Sequence, residues 1–510
     1  MKTNNSRSKN AILNIIIGVI AQFGILLLSF IGRKIFINFL SADYLGINGL
    51  YSNILSVLAL AELGLGNVTQ FFLYKPVVEK DYNKICSLVK YFRKLYAIIA
   101  VVVLGIGLLL IPFLKYIINS NLQQNELIIY YIIFLLNSSV TYFAADKIAL
   151  LAANQDNRLT KYITLSINFA LQLLHIIVLM IWHNYIVYVL ATLLCSVINV
   201  LVTNILCYRL YPYLKEKNIY KVEIDKKLIT NNLKSTFVYK IGATIVNNTD
   251  NILISVMIST AAVGLYSNYY LVVSGIQAFL AVVTAALISG IGNLNASGNK
   301  KRMAEIFNCM LFIYHFIAAY GATGLFLLFN DLVPAWLGSE YLLDNWVVFA
   351  IAFSFYLNNA ISPIWMFRES NGLFNKVKYL FLTTAIINIV LSIVLGKLLG
   401  VFGILIATPI AKMVTQVWYE PHILFKFLFD TSSKEYWFNQ LKYVALSLIS
   451  ALMCFGITII LPHSFTFIFI KAVIYFVIFV IVFLILCRKS AEVNELKKLL
   501  YRITKKKKGV

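Results

Sequence analysis

The sequence predicts an all-α, polytopic membrane protein of about fourteen transmembrane helices: two six-helix bundles related by a pseudo-twofold along the membrane normal, followed by two further helices. Three observations carry this expectation. The chain is 60% hydrophobic and 13% charged, where soluble domains are roughly half apolar and a quarter charged. The apolar residues gather in blocks of about twenty, the length that crosses ~30 Å of hydrocarbon at ~1.5 Å per residue. The basic residues alternate between the segments that join those blocks.

Taken in order, the expected spans are 11–31, 50–74, 95–118, 127–151, 162–182, 185–208, 236–258, 265–290, 309–329, 346–367, 379–399, 403–425, 441–461 and 465–487. The breaks between them carry turn chemistry, as in Asn119-Ser120-Asn121, His183-Asn184, Asn295-Ala296-Ser297-Gly298-Asn299 and Pro462-His463-Ser464. Lys2, Arg7 and Lys9 precede the first block. That block is too long for a signal-peptide core and lacks a small-residue cleavage site, so it reads as a retained span.

Thirty-six of the 44 Lys and Arg fall in the N-tail, the C-tail and alternate loops; the other eight are Arg33, Lys34, Lys115, Lys147, Lys240, Lys397, Lys412 and Lys471. By the positive-inside rule both termini are cytoplasmic, the number of spans is even, and the protein sits in the bacterial cytoplasmic membrane. The net charge of +23 is then a matter of topology, and nucleic acid is excluded as a partner. The six cysteines, Cys86, Cys195, Cys207, Cys309, Cys454 and Cys487, form no CxxC pair, so neither a disulfide framework nor a metal site is expected.

The longest inside loop, from Tyr208 to Lys234, divides the chain. The expected organisation is an N-terminal six-helix bundle (1–208), a cytoplasmic linker (209–235), a C-terminal six-helix bundle (236–425), two extra helices (426–487) and a basic cytoplasmic tail (488–510). A repeat supports it. Gly49-Leu50-Tyr51-Ser52-Asn53 recurs as Gly264-Leu265-Tyr266-Ser267-Asn268, each copy opening the second span of its half. Halves of even span number share one orientation, which implies parallel repeats around a cleft. In the tail, Leu496, Leu499, Leu500 and Ile503 share a stripe ahead of Lys505-Lys506-Lys507-Lys508, a pattern suited to an anionic membrane surface.

These residues carry a family resemblance. Leu45-Gly46, the Gly49 motif and Ala61-Glu62-Leu63-Gly64-Leu65-Gly66 resemble the start of the Wzx-type polysaccharide flippases of the MOP exporter superfamily. So do Asp250-Asn251-Ile252-Leu253-Ile254 with Val263-Gly264-Leu265-Tyr266-Ser267, and Leu150-Leu151-Ala152-Ala153-Asn154-Gln155 before Arg158. The resemblance implies export of undecaprenyl-pyrophosphate-linked oligosaccharide for capsule or other surface polysaccharide. It also implies a polysaccharide polymerase and glycosyltransferases as working partners, beside the membrane lipids themselves.

Ionisable groups inside spans cost at least ~2.5–3.5 kcal/mol, which makes each a functional candidate. Lys240, Thr244, Asn247 and Asn251 fall within an arc of about 60° on one helix, with Asp250 about 60° further round. Asn14, Gly18, Gln22, Ser29 and Arg33 share roughly 100° of the first span. The substrate-binding candidates are therefore Arg33, Lys240, Lys412, Asn247, Asn251 and Gln22, whose cations and amides suit an anionic, sugar-bearing headgroup. Asp250 and Glu62 are candidates for ion coupling by H+ or Na+, and no other cofactor is expected. Each of these polar groups can equally serve as a hydrogen bond between helices. Asp146 and Lys147 read as snorkelling groups at the inner end of the fourth span, and His175 and His315 as packed histidines. There is no P-loop, HExxH or dinucleotide fingerprint, so no enzyme is expected. An ion-coupled multidrug or small-molecule antiporter on the same fold is the alternative. A membrane glycosyltransferase or polymerase is disfavoured by the short exterior loops.

Overall fold

The computed structural model describes residues 4–62, 64–154, 156–215, 226–296, 299–462, 464–488, 490, 492–495 and 497. Leu63, Gln155, residues 216–225 of the linker, the tail leucines and Lys505–Lys508 lie outside the described residues, as does the side chain of Asn14. Every element found is helical. The chain divides into two compact units, Met1–Asn268 and Tyr269–Val510.

Unit 1 contains α1 (Asn4–Phe39), α2 (Ala42–Leu58), α3 (Leu65–Glu79), α4 (Tyr82–Leu109), α5 (Leu114–Ile117), α6 (Gln124–Ala153), α7 (Asn157–Trp182), α8 (Tyr185–Leu210), α9 (Lys226–Asn248) and α10 (Asp250–Met257). It ends in the first turns of α11 (Thr260–Ala296). One helix start falls at the expected break His183-Asn184; another, after Asp81, lies inside the stretch 75–94 expected as a loop, so α4 begins earlier than the expected span. Asp81 accepts from Lys84 N (2.9 Å), and Asn184 accepts from Ile186 N (2.7 Å) after His183 takes a left-handed conformation (φ 50°). Both satisfy backbone donors that a helix start leaves open. The core of unit 1 combines aliphatic side chains with a group of buried aromatics. Tyr51 meets Tyr131 and Phe134 edge-on, with centroids 5.4 and 5.5 Å apart.

Unit 2 contains α12 (Lys300–Trp336), α13 (Asn345–Ala360), α14 (Ser362–Ser370), α15 (Phe374–Val414), α16 (Gln416–Leu424), α17 (Lys434–Ile460) and α18 (Phe465–Leu486). Its long α12 packs on α13, α17 and α18. The two extra helices expected at the C-terminus are therefore packed onto this unit. Phe307, Phe367, Phe425, Phe429 and Tyr436 form an aromatic cluster at one end of it.

Among the described residues, eleven helical stretches are long and apolar enough to cross a membrane. The difference from fourteen falls in three places. The span expected at 50–74 is broken by a 3-10 turn, Ala59–Glu62, followed by Gly64 at φ 95°. The span expected at 236–258 is broken at Thr249, and α9 carries Lys227, Lys234, Lys240, Asn247 and Asn248, too many polar groups for a simple apolar span. The spans expected at 379–399 and 403–425 lie in one stretch, Lys376–Phe429. Gly400 (φ 62°, ψ −140°) turns the chain between them, in a region of backbone space open to glycine at little cost.

Tyr51 and Tyr269 do the same work in the two units. Both are fully buried. The Tyr51 hydroxyl donates to Leu127 O (2.7 Å) in the first turn of α6, and the Tyr269 hydroxyl accepts from Leu343 N (2.8 Å) just before α13. Each tyrosine thus anchors the opening of the fourth span of its half. In the second copy this role falls three residues beyond the motif tyrosine, Tyr266.

Candidate functional site

The segments that lead into the two copies of the sequence motif meet inside unit 1. A Cβ added to Gly46 of α2 would lie 1.8 Å from Thr260 O, and one added to Gly264 of α11 would lie 2.0 Å from Ala42 O. The helices touch backbone to backbone there, which small residues permit and larger ones forbid. The signal is present in the sequence as Ala42-x-x-x-Gly46 and Thr260-x-x-x-Gly264, although the motif alone does not say that its two copies face each other. Asn251 belongs to the same crossing. Its Nδ2 would lie 3.5 Å from a Cβ on Gly49, and its Oδ1 is buried without a hydrogen-bond partner.

Arg33 of α1 reaches this crossing. Its Nη1 donates to Ser267 Oγ (2.9 Å) and to Asn268 Oδ1 (3.3 Å), the last two residues of the second motif copy. Both acceptors are neutral, and among the described residues Arg33 forms no ion pair. The guanidinium is held in place while its charge stays unbalanced by a neighbouring carboxylate. Close by, Tyr188 stacks on His175 (3.8 Å), whose Nε2 meets Thr192 Oγ1 at 3.0 Å. His175 is a packed histidine.

The stripe expected along 240–251 does not run down one helix. The break at Thr249 puts Lys240 and Asn247 on α9, and Asp250 and Asn251 on α10, so helical phase is lost between them. Lys240 is half-buried, and its charge acts on the Glu62 carboxylate, which also bonds the Tyr142 hydroxyl. Glu62 sits at the end of the 3-10 break. Asn247 is exposed; Asp250 and Gln22 are half-buried. In unit 1 the structure thus joins Arg33 to the motif serine and asparagine, and brings Lys240 near enough to Glu62 for its charge to be felt there.

In unit 2, Lys412 donates to Asn358 Oδ1 (2.8 Å), and its charge also acts on Glu420. Glu420 is ion-paired to Arg368 (2.7 Å), which is 2% exposed, bonds Glu369 (3.0 Å) and lies 5.1 Å from the centroid of the Phe381 ring. A second buried pair joins Lys471 of α18 to Asp331 of α12 (2.7 Å). Sequence reasoning placed Arg368 and Asp331 in loops and so missed both pairs. His315 is packed like His175, with Nδ1 at 2.8 Å from Leu311 O and Nε2 at 2.8 Å from Gln440 Oε1. A cleft of about 480 Å³ among α12, α13 and α17 is lined by Ala319, Ala322, Phe326, Phe353, Tyr356 and Ala451. Its apolar walls hold none of the candidate residues.

A helical architecture with broken helices and eleven stretches long and apolar enough to span, among the described residues, defines a multi-pass membrane protein. The solved structures it is similar to agree. The lipid II flippase MurJ in an inward closed conformation matches at a TM-score of 0.67 and 15% identity, over 93% of this chain and 99% of that one. An inward-facing MATE multidrug transporter of the MOP superfamily matches at 0.57 and 16%, over 81% and 99%. A Vibrio cholerae MATE transporter matches at 0.53 and 13%, over 84% and 99%. A family model described as "Polysaccharide biosynthesis protein" matches residues 46–344, more than half of the chain. The protein belongs to this polysaccharide biosynthesis family and has the MOP-superfamily fold, as its motifs led one to expect. No curated protein matches it.

Proposed function

We infer that the protein is a flippase that moves undecaprenyl-pyrophosphate-linked oligosaccharide repeat units across the bacterial cytoplasmic membrane, for capsule or other surface polysaccharide. The orientation that goes with this reading has both termini in the cytoplasm, and polysaccharide polymerase and glycosyltransferases act beside it.

The observation that carries the reading is Arg33: a cation within a span, fixed by neutral acceptors at the motif crossing. Flipping makes and breaks no covalent bond, so the protein acts as transporter and not as enzyme. Its task is to lower the cost of taking a diphosphate and sugars across hydrocarbon. Arg33 supplies a fork of donors suited to phosphate. Asn247, Asn251 and Gln22 are amides able to exchange hydrogen bonds with sugar hydroxyls. Lys240 is tempered by Glu62, and Lys412 is held by Asn358, so their fields change if those partners move during alternating access. Glu62 and Asp250 are the groups on which H+ or Na+ coupling rests.

An ion-coupled antiporter of cationic compounds is the competing reading, favoured by the intramembrane Glu62. Proteoliposomes separate the two. The expected result is protein-dependent movement of a lipid-linked oligosaccharide to the far leaflet, lowered ~10–100-fold by Arg33→Gln, which removes a charged hydrogen bond worth ~1.5–3 kcal/mol. Gradient-driven efflux of a cationic dye without oligosaccharide movement would favour the antiporter.

A further inference from the structure

We propose that unit 1 carries a binding site for the phosphate of an anionic membrane phospholipid, built around Tyr208 at the foot of α4, α6 and α8 and separate from the substrate residues above.

Three cations converge on one tyrosine. Arg93 Nη2 donates to the Tyr208 hydroxyl (2.9 Å), Lys147 Nζ lies 5.4 Å from the ring centroid and Lys215 Nζ 6.0 Å from it. Among the described residues a single carboxylate, Asp146, is ion-paired within this group. Its Oδ2 accepts from Lys147 Nζ (2.5 Å) and from Arg93 Nε (3.2 Å). Asp156, nearby in the chain, is bonded to the Tyr211 hydroxyl at 2.8 Å. The cluster therefore carries two more positive charges than negative ones, and a tyrosine face offsets only a small part of that excess. Asp146 and Lys147 are 1% and 2% exposed, so they form a rigid floor and do not snorkel. The Arg93 side chain is 49% exposed and Lys215 is exposed. With Nε and Nη2 of Arg93 engaged, its Nη1 remains a further donor of the half-exposed side chain.

What lies toward the middle of the spans names the ligand. Residues three to four apart share a helix face. One to two turns from each cluster residue the same face shows exposed apolar side chains: Ala97 beyond Arg93 on α4, Phe143 before Lys147 on α6, and Ile205 and Leu201 before Tyr208 on α8. Asn204 Nδ2 donates to Phe143 O (3.1 Å), tying α8 to α6 along this wall. In a membrane protein, such a wall faces acyl chains. A cationic cluster under a lipid-facing wall is the arrangement that takes an anionic headgroup with its tails running up the helices. The charge bias assigns this end of the spans to the cytoplasmic leaflet, and the site does not depend on which solute the protein moves.

The test is thermal unfolding of the full-length purified protein in micelles doped with phosphatidylglycerol, with phosphatidylcholine of the same acyl chains, or with inorganic phosphate. Phosphatidylglycerol is expected to raise the unfolding temperature of the wild type. Arg93→Gln/Lys215→Gln is expected to lose more than half of that shift. A control pair on the same side but outside the cluster, Lys80→Gln/Lys84→Gln, keeps it. Arg93→Lys, which retains charge but not the fork, is expected to fall between. Unfolding temperatures without lipid show whether each variant is folded; if the double variant is not, Arg93→Lys and Lys215→Gln alone carry the test. Equal loss in the control pair would reduce the effect to general surface charge. An equal shift with phosphatidylcholine or with inorganic phosphate would overturn the lipid as occupant.

Discussion

Each unit buries an ionic cluster near the end of the fourth span of its half, and the two clusters are built alike with opposite sign. In unit 1 the consecutive pair Asp146-Lys147 takes a third charge from another helix, the cation Arg93, and an aromatic face from Tyr208. In unit 2 the consecutive pair Arg368-Glu369 takes the anion Glu420 and the face of Phe381. Burial demands a partner for each charge in both places. What differs is the leftover. In unit 2 the surplus negative charge is answered within the unit, because the charge of Lys412 acts on Glu420. In unit 1 the surplus is positive, half exposed on Arg93, and adjoins a lipid-facing wall. The unit 2 cluster is closed on itself, whereas the unit 1 cluster is open to a ligand: unit 2 is structural here and unit 1 receptive.

The largest expected effect breaks this comparison at its closed end. Arg368→Gln leaves the buried Glu420 without its cation beside the half-buried Glu369, and is expected to cost ~3–5 kcal/mol, the usual cost of orphaning a buried charge. Chemical or thermal unfolding in detergent reads it. A loss below ~1 kcal/mol would mean that solvent reaches the cluster and that it is not closed. Lys471→Met alone is expected to cost a similar ~3–5 kcal/mol by orphaning Asp331, whereas Lys471→Met with Asp331→Leu recovers most of it.

Next in size is the motif crossing. Gly46→Ala or Gly264→Ala forces two backbones apart, with an expected loss of about 1–3 kcal/mol, where Gly18→Ala, with open space around it, costs almost nothing. Equal effects at all three glycines would refute the close crossing. The smallest effect sharpens the open end of the comparison. Arg93→Gln leaves Asp146 with Lys147, so stability is expected to fall by less than ~1 kcal/mol, as for other half-exposed pairs, although part of the response to anionic lipid is lost.

Much of the fold was legible because the bilayer writes its thickness into the sequence. His183-Asn184 marks a helix break that the structure confirms, and the segments around the Gly49 and Gly264 motifs are in close contact. What stayed hidden turns on facing and on helix continuity. Arg93, Arg368 and Asp331 lie close to span ends, where a charge in a loop and a buried ion pair have the same sequence signature. The 240–251 stripe assumed one unbroken helix, and the break at Thr249 removed the phase on which it rested. Lys240 and Arg33 stood out because they lie deep within apolar blocks, but their partners, Glu62 and Ser267-Asn268, come from distant parts of the chain.

The most direct test of the central claim uses a strain lacking the gene, complemented with wild type, Arg33→Gln or Arg33→Lys at matched membrane levels. Surface polysaccharide and lipid-linked precursor are measured together. The account predicts that the empty strain and Arg33→Gln lose surface polysaccharide and accumulate precursor on the cytoplasmic side, with Arg33→Lys recovering part of the export. Normal surface polysaccharide without precursor accumulation in Arg33→Gln would remove Arg33 from the mechanism, and the same result in the empty strain would contradict the flippase itself.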